Sequence, residues 1–224
     1  MIAGITSALS GLQANQLAFD VSANNLANLS TPGYQAARVN QNAAPDGLGV
    51  SASVSPGSSA FAAPSGPIEQ TGSSTDLAIA GQGFFQVQDS TGNISTTRNG
   101  AFTQDAQGYL RTADGGYVLG TSGPIQAPAG ATLSVSRNGA VTAQNPDGTS
   151  ASVGTLSLAS NGGAVGAPAT GSFGGIVSGA LELSNVDPVS EAVNSIVARH
   201  GFAENLKTIE VSNEMLKKTY EMLK

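Results

Sequence analysis

Residues 2–34 read IAGITSALSGLQANQLAFDVSANNLANLSTPGY, and the spacing inside that stretch decides how the chain is built. Ile5, Leu12, Phe19 and Leu26 recur every seven residues. Ile2 and Leu9 supply the offset positions, and the offset series then weakens to Gln16 and Ala23. A seven-residue apolar repeat predicts a helix that supercoils against a partner. The plainer reading of the same pattern is an ordinary amphipathic core helix. Asp20 is the one charge in residues 1–37. A solvated helix face normally carries charge pairs, so a polar but neutral one suits packing on several sides without the cost of burying ions. Pro32 ends the helix, because the residue before a proline is pushed out of the helical region, and Gly33 favours a turn.

The other end repeats the theme. Val186, Val189, Val193 and Ile196 keep helical spacing, and Phe202, Leu206, Ile209, Asn213, Leu216, Tyr220 and Leu223 continue it in steps of four and three. Between the two series, around His200-Gly201, the register slips as at a stutter in a coiled coil. Asp187-Pro188 predicts the helix start, with Asp as cap and Pro in the first turn. Helices over 2–29 and 187–223 would be about 42 and 55 Å long, more than a compact domain of this size encloses. The two ends are therefore expected to pack on each other and on neighbouring molecules.

Between them lies a Gly-rich middle with strand and turn signals. Asp76–Val87 reads as strand, Gly turn, strand, and Thr91-Gly92-Asn93 as a turn into a strand at Ile94–Arg98. Asn99-Gly100 is a strong hairpin dipeptide. Gln107-Gly108 and Asp114-Gly115-Gly116 mark further pairings up to Tyr117–Gly120. Leu133–Ser136, Ala140–Ala143 and Val153–Leu158 follow, separated by Asn138-Gly139 and Asp147-Gly148. Turns at this interval predict an antiparallel sandwich or irregular barrel. The expected fold is mixed α and β: long N- and C-terminal helices forming a coiled-coil layer, with a central antiparallel all-β domain. The expected boundaries are 1–34 for the N-terminal helix, 35–75 for a linker with short strands, 76–180 for the β domain and 181–224 for the C-terminal helix.

Composition narrows the function classes. The 224 residues carry 11% charged side chains, no Cys, no Trp and one His. Net charge is −6, spread over all three regions with no basic stripe, which argues against nucleic-acid binding. Without Cys there is no disulfide or thiolate chemistry. No apolar run approaches the roughly 18 residues needed to cross a bilayer, so no direct membrane insertion is expected. The first Lys or Arg is Arg38, so the N-terminus lacks the charged region of a secretory signal.

Motifs in three separated regions carry a resemblance. Ala23-Asn24-Asn25-Leu26-Ala27-Asn28 with Thr31-Pro32-Gly33-Tyr34 resembles the N-terminal signature of the bacterial flagellar rod and hook family. Asp76–Val87, Thr97-Arg98-Asn99-Gly100-Ala101-Phe102 and Gly115–Gly120 resemble its central β motif. Leu181–Asp187, with Asn185 and Val186, and Asn205-Leu206-Lys207-Thr208-Ile209 resemble its C-terminal signature. The three stand in the family's order, although residues 40–65 and 121–178 carry little of the likeness. His200, Gly201 and Phe202 depart from its usual Arg, Ala and Tyr.

The resemblance implies a structural axial subunit of the basal body that assembles with copies of itself and with other rod and hook subunits into a helical tube transmitting torque for motility. It implies export by the flagellar type III apparatus without a cleaved signal peptide, a periplasmic or extracytoplasmic site, and neighbours that include the surrounding bushing rings. The short middle favours a rod protein over a hook-type protein. Helix spacing and motifs together assign assembly to Ile5, Leu9, Leu12, Phe19, Asn24, Asn25 and Leu26, to Pro32, Gly33 and Tyr34 at the exit, and to Asn185, Val186, Val193, Ile196, Phe202, Leu206, Ile209 and Leu216.

The search for chemistry is nearly empty, so no catalytic residue, metal site or cofactor is assigned. A lone His offers no familiar zinc set, and a Ser-His-Asp triad would have to use His200 inside a helical segment. Gly81-Gln82-Gly83-Phe84 lacks the third Gly of a dinucleotide loop and enters a strand. Asp105 and Asp114 read as turn formers. Two other classes stay in view: a secreted β-rich adhesin whose helices form a trimeric stalk, and an enzyme acting on cell-wall glycan, which would need an acid pair in a cleft.

Overall fold

The computed structural model describes residues 2–43, 50–56, 65–128, 130–145, 147–160 and 163–223. The chain opens with helix α1 (Ile2–Ala27) and a hairpin of β1 (Ala37–Ala43) and β2 (Val50–Pro56). There follow β3 (Ile68–Gln70), β4 (Leu77–Ala80), β5 (Phe84–Gln88), β6 (Ile94–Thr97), β7 (Thr103–Gln104), β8 (Leu110–Arg111) and β9 (Tyr117–Gly120). Next come β10 (Gly123–Pro124), β11 (Thr132–Val135), β12 (Ala140–Gln144), β13 (Ser150–Thr155) and β14 (Leu158–Ala159). The chain closes with β15 (Val165–Gly166), β16 (Gly175–Ser178), β17 (Ala180–Glu182) and helix α2 (Pro188–Met222). The molecule has two compact units. The helical unit joins Met1–Leu29, Ala36–Ser58 and Val186–Lys224; the β unit joins Ser30–Gln35 and Ser59–Asn185.

In the helical unit α1 packs on α2 and on the antiparallel β1–β2 hairpin. The helices run antiparallel: Asn25 meets Glu191, Asn15 approaches Gly201 and Gly11 approaches Asn205, so facing residue numbers always sum to 216. Asp187 starts α2 as expected. Its carboxylate accepts the N–H groups of Val189 and Ser190, and Pro188 occupies the first turn, where a missing N–H costs nothing. Within residues 35–75 lie the β1–β2 hairpin and β3, which pairs with β17.

Every strand pairing in the β unit is antiparallel among the described residues. An eight-stranded sheet runs β15-β14-β5-β9-β8-β7, with β10 on β9 and β6 on β5. β11, β12 and β13 form a second sheet, and β16–β4 and β17–β3 are two-stranded. Alternation sets the faces: Phe85 and Val87 of β5 point inward, as do Leu133 and Val135 of β11 and Val141 and Ala143 of β12. All of these except Val87 join Leu77, Ile79, Phe102, Leu110, Val118, Leu156, Leu158 and Ile176 in one core. Phe85 and Phe102 sit edge to face with ring centroids 5.1 Å apart, a preferred aromatic geometry.

Three local features differ from the sequence reading. Asn99-Gly100 is not a hairpin turn, since β6 pairs with β5 and β7 with β8. Its glycine is needed for closeness: Leu77 N–H donates to Gly100 O at 3.0 Å, and a Cβ on Gly100 would lie 1.6 Å from Leu77 O. The stretch Val153–Leu158 is divided between β13 and β14. Finally, α2 is one helix through His200-Gly201 with no slip. Its less exposed positions, Glu191, Ser195, Ala198, Phe202, Asn205, Ile209 and Ser212, advance in an unbroken alternation of four and three. The apparent slip arises because Leu206, Asn213 and Tyr220 lie one position beyond this seam.

Candidate assembly surfaces and motif junction

Small residues make the contact between α1 and α2. Ala8 and Ser22 are buried and Asn15 is half-buried, at seven-residue spacing. Gly11, Ala18 and Asn25 form the companion series, with Asn25 only 1% exposed. Across from them stand Ala198, Gly201, Asn205 and Ser212. Added Cβ atoms on Gly11 and Gly201 would come within 2.8 and 2.7 Å of the amide nitrogens of Asn205 and Asn15. Each helix thus presents a glycine to an asparagine of the other, which permits a close approach of the axes. Asn25 ties three elements together. It donates to Ala37 O and to Glu191 Oε1 and accepts the Ala37 N–H, all at 2.9 Å.

The large apolar heptad lies on the neighbouring flank. Ile5, Leu12 and Phe19 are half-buried, while Leu9 is 50% exposed and Leu26 is also exposed. Phe19 lines a shallow groove with Asn15, Gln16, Ala198, Arg199 and Phe202. On α2, Phe202 and Ile209 are half-buried, and Val193, Ile196, Leu206 and Leu216 are exposed. Val189, Val193 and Ile196, the first 70% and the last 57% exposed, line the side of α2 turned away from α1. His200 and Ala203 continue that stripe beside Arg199. Beyond residue 204 the same side becomes charged, with Lys207, Glu210, Glu214 and Lys218. Asn24 is exposed, and its carbonyl and side-chain oxygens accept from the Asn28 amide. Val186 is buried.

A second constellation forms inside the β unit. Gly33 has φ +68° and donates its N–H to Glu182 O at 2.7 Å. Pro32 and Tyr34 are half-buried beside it, and half-buried Asn185 donates its N–H to Tyr34 O at 3.4 Å. Next to Gly33 lie Arg98 and Glu182, 5% and 2% exposed, paired at 3.1 Å between Nε and Oε2. Arg98 also donates to Gly83 O at 2.7 Å, Gly81 O at 2.9 Å and Ser65 Oγ at 2.8 Å. Glu182 Oε1 accepts the Gly66 N–H at 3.1 Å. Burial pushes the Glu182 carboxyl above the usual range, with Arg98 opposing, and pulls the Arg98 guanidinium down, with Glu182 opposing. Four of the sequence motifs, the Pro32-Gly33-Tyr34 turn, the Gly81–Gly83 turn, Arg98-Asn99 and Leu181–Asn185, therefore meet at one point.

Sequence reasoning placed Arg98 and Glu182 within motifs but gave neither a role. Their burial, which the sequence does not show, is what marks them, since such groups are rarely fully buried unless paired. The small-residue heptad was also passed over beside the larger Ile5–Leu12–Phe19–Leu26 series. Asp105 accepts the N–H groups of Gln107 and Tyr109 and so shapes its turn. Among the described residues no group of His, Cys, Asp and Glu could hold a metal ion, and no helix is long and apolar enough to cross a membrane.

Comparison with known proteins agrees with this distribution of motifs. Residues 5–35 match the model for flagella basal body rod proteins. Residues 78–143 match the D1 domain of the flagellar hook protein FlgE/F/G group, and residues 177–222 match the C-terminal region of flagellar basal body rod FlgEFG proteins. The chain is 31% identical to the flagellar basal-body rod protein FlgG of Agrobacterium fabrum, covering 93% of this chain and 94% of the relative. It is also 31% identical to FlgG of Bacillus subtilis, over 96% of this chain and 97% of the relative. FlgF of Escherichia coli is 32% identical over 84% and 85% of the two chains. The chain belongs to the flagellar basal-body rod and hook protein family.

Proposed function

We propose that this protein is a structural subunit of the flagellar rod, assembling with copies of itself and with related rod and hook subunits into a helical tube that transmits torque. In this reading α1 and α2 enter an inner coiled-coil layer and the β unit forms an outer one. The subunit leaves the cytoplasm through the flagellar type III apparatus and works in the periplasm, next to the bushing rings. It has no enzymatic role.

The observation that carries the proposal is the exposed stripe of Val189, Val193 and Ile196 on α2, on the side turned away from α1. Apolar side chains repeated along one helix face in water favour association, at roughly 25 cal/mol per Å² of apolar surface covered. The near absence of charge on α1 supports the same reading, because a neutral polar face can be covered without stranding an ion. The test is Val193→Asp with Ile196→Asp in the chromosomal copy. Both positions are exposed, so the free subunit should fold and be exported while rod incorporation and motility fail. Normal rods built from the doubly substituted subunit would overturn the proposal.

A further inference from the structure

We propose that Arg98 and Glu182 are positioning residues whose buried ion pair holds residues 30–35 in a cradle on the β unit, making that segment a fixed fitting rather than a hinge. The chain passes from the helical unit into the β unit at residue 30, returns at residue 36, and leaves the β unit again after residue 185. Six residues between two passages have little to hold them by burial alone. The grip here is specific. The Gly33 N–H donates to Glu182 O at 2.7 Å. The Gly33 Cα stands so close to the 98–99 peptide that a Cβ would lie 2.3 Å from Arg98 C. Only glycine combines that approach with φ +68° at little cost.

Both walls of the cradle are set by the ion pair. The Arg98 guanidinium reaches Gly81 O, Gly83 O and Ser65 Oγ as well as Glu182, which fixes the 98–99 peptide against the β4–β5 turn. Glu182 holds Gly66 through Oε1 while its own main-chain oxygen takes Gly33. A planar fork with five donors can satisfy these partners together, which a lysine cannot. Removing either charge strands the other one away from water, so the wall must open to let it out.

The test is amide hydrogen exchange on the full-length free protein, which keeps it independent of rod assembly. Glu182→Gln should speed exchange at Gly33 and Asn185 by about tenfold or more through local opening, while Leu110 and Ile125, hydrogen-bonded in the β8–β10 region, keep their protection. If that variant folds poorly, Arg98→Met with Glu182→Leu removes both charges at similar volume and should loosen Gly33 and Asn185 in the same selective way. Unchanged protection of Gly33 in a folded variant would overturn the proposal. So would equal acceleration at all four amides, which would make the pair a general contributor to stability and nothing more.

Discussion

In the β unit the closed-off side chains are Leu77, Ile79, Phe85, Phe102, Val118 and Leu158, whereas in the helical unit they include Ala8, Ala14, Ser22, Asn25, Ala198 and Ser212. The first set fills a core with large apolar groups. The second set lets two helices touch and leaves most large apolar side chains half-covered or in water. Hydrophobic stabilisation scales with apolar area removed from water, so the β unit holds itself together while the helical unit keeps its apolar surface for something else. The Arg98–Glu182 pair of the β unit is sealed inside it, its Arg111–Asp105 pair is partly exposed, and the Lys207–Glu210 pair of the helical unit is exposed.

The strongest way to break this comparison is Phe85→Ala. Losing a fully buried ring should cost the β unit about 3–5 kcal/mol, read from chemical denaturation. A loss below about 1 kcal/mol would mean the core is far looser than its packing suggests. Asn25→Ala comes next. It strands partners of three hydrogen bonds and should cost the helical unit about 1–3 kcal/mol, with the β unit transition unmoved. A third pair of variants separates seam from flank. Ala198→Leu wedges the helices apart, at about 1–3 kcal/mol, whereas Leu206→Ala on the exposed flank should change free-subunit stability by no more than about 0.5 kcal/mol. Equal effects would show that the flank, not the small-residue seam, holds the pair.

The smallest effect concerns Asp187. The Ser190 hydroxyl first, then the Val189 amide, hold its carboxyl below the usual carboxylate range. A lowered folded-state pKa gives stability that is present above the ordinary carboxylate value and is lost as pH falls through the lowered one. Asp187→Ala should therefore slightly reduce helicity at neutral pH, and its difference from the parent should vanish on acidification, as followed by circular dichroism at 222 nm. A difference that persists in acid would mean the cap does not act through its charge.

Much of the fold was legible because local chemistry announced it. Asp187-Pro188 marked a helix start, Gln107-Gly108 and Asp114-Gly115 marked hairpins, and the Gly turn within Asp76–Val87 marked the passage from β4 to β5. Asn99-Gly100 misled because the same dipeptide serves a turn or a close approach, and only the position of Leu77 O decides which. The helix seam was hard to read because large apolar residues dominate any search for periodicity, and here the tightest contacts belong to Ala, Gly, Ser and Asn. The Arg98–Glu182 pair joins residues 84 positions apart, and no local signal links them. What the motifs did mark was the place where the distant segments converge.

Hydrogen exchange measured on the same protein, free and within purified rods, tests the central claim most directly. The account predicts that amides of α2 between residues 189 and 203 exchange readily in the free subunit and gain strong protection in the rod, while Leu110, Val118 and Ile125 of the β unit are slow in both. Equal protection of α2 in the two states, or a β core that becomes protected only on assembly, would contradict it.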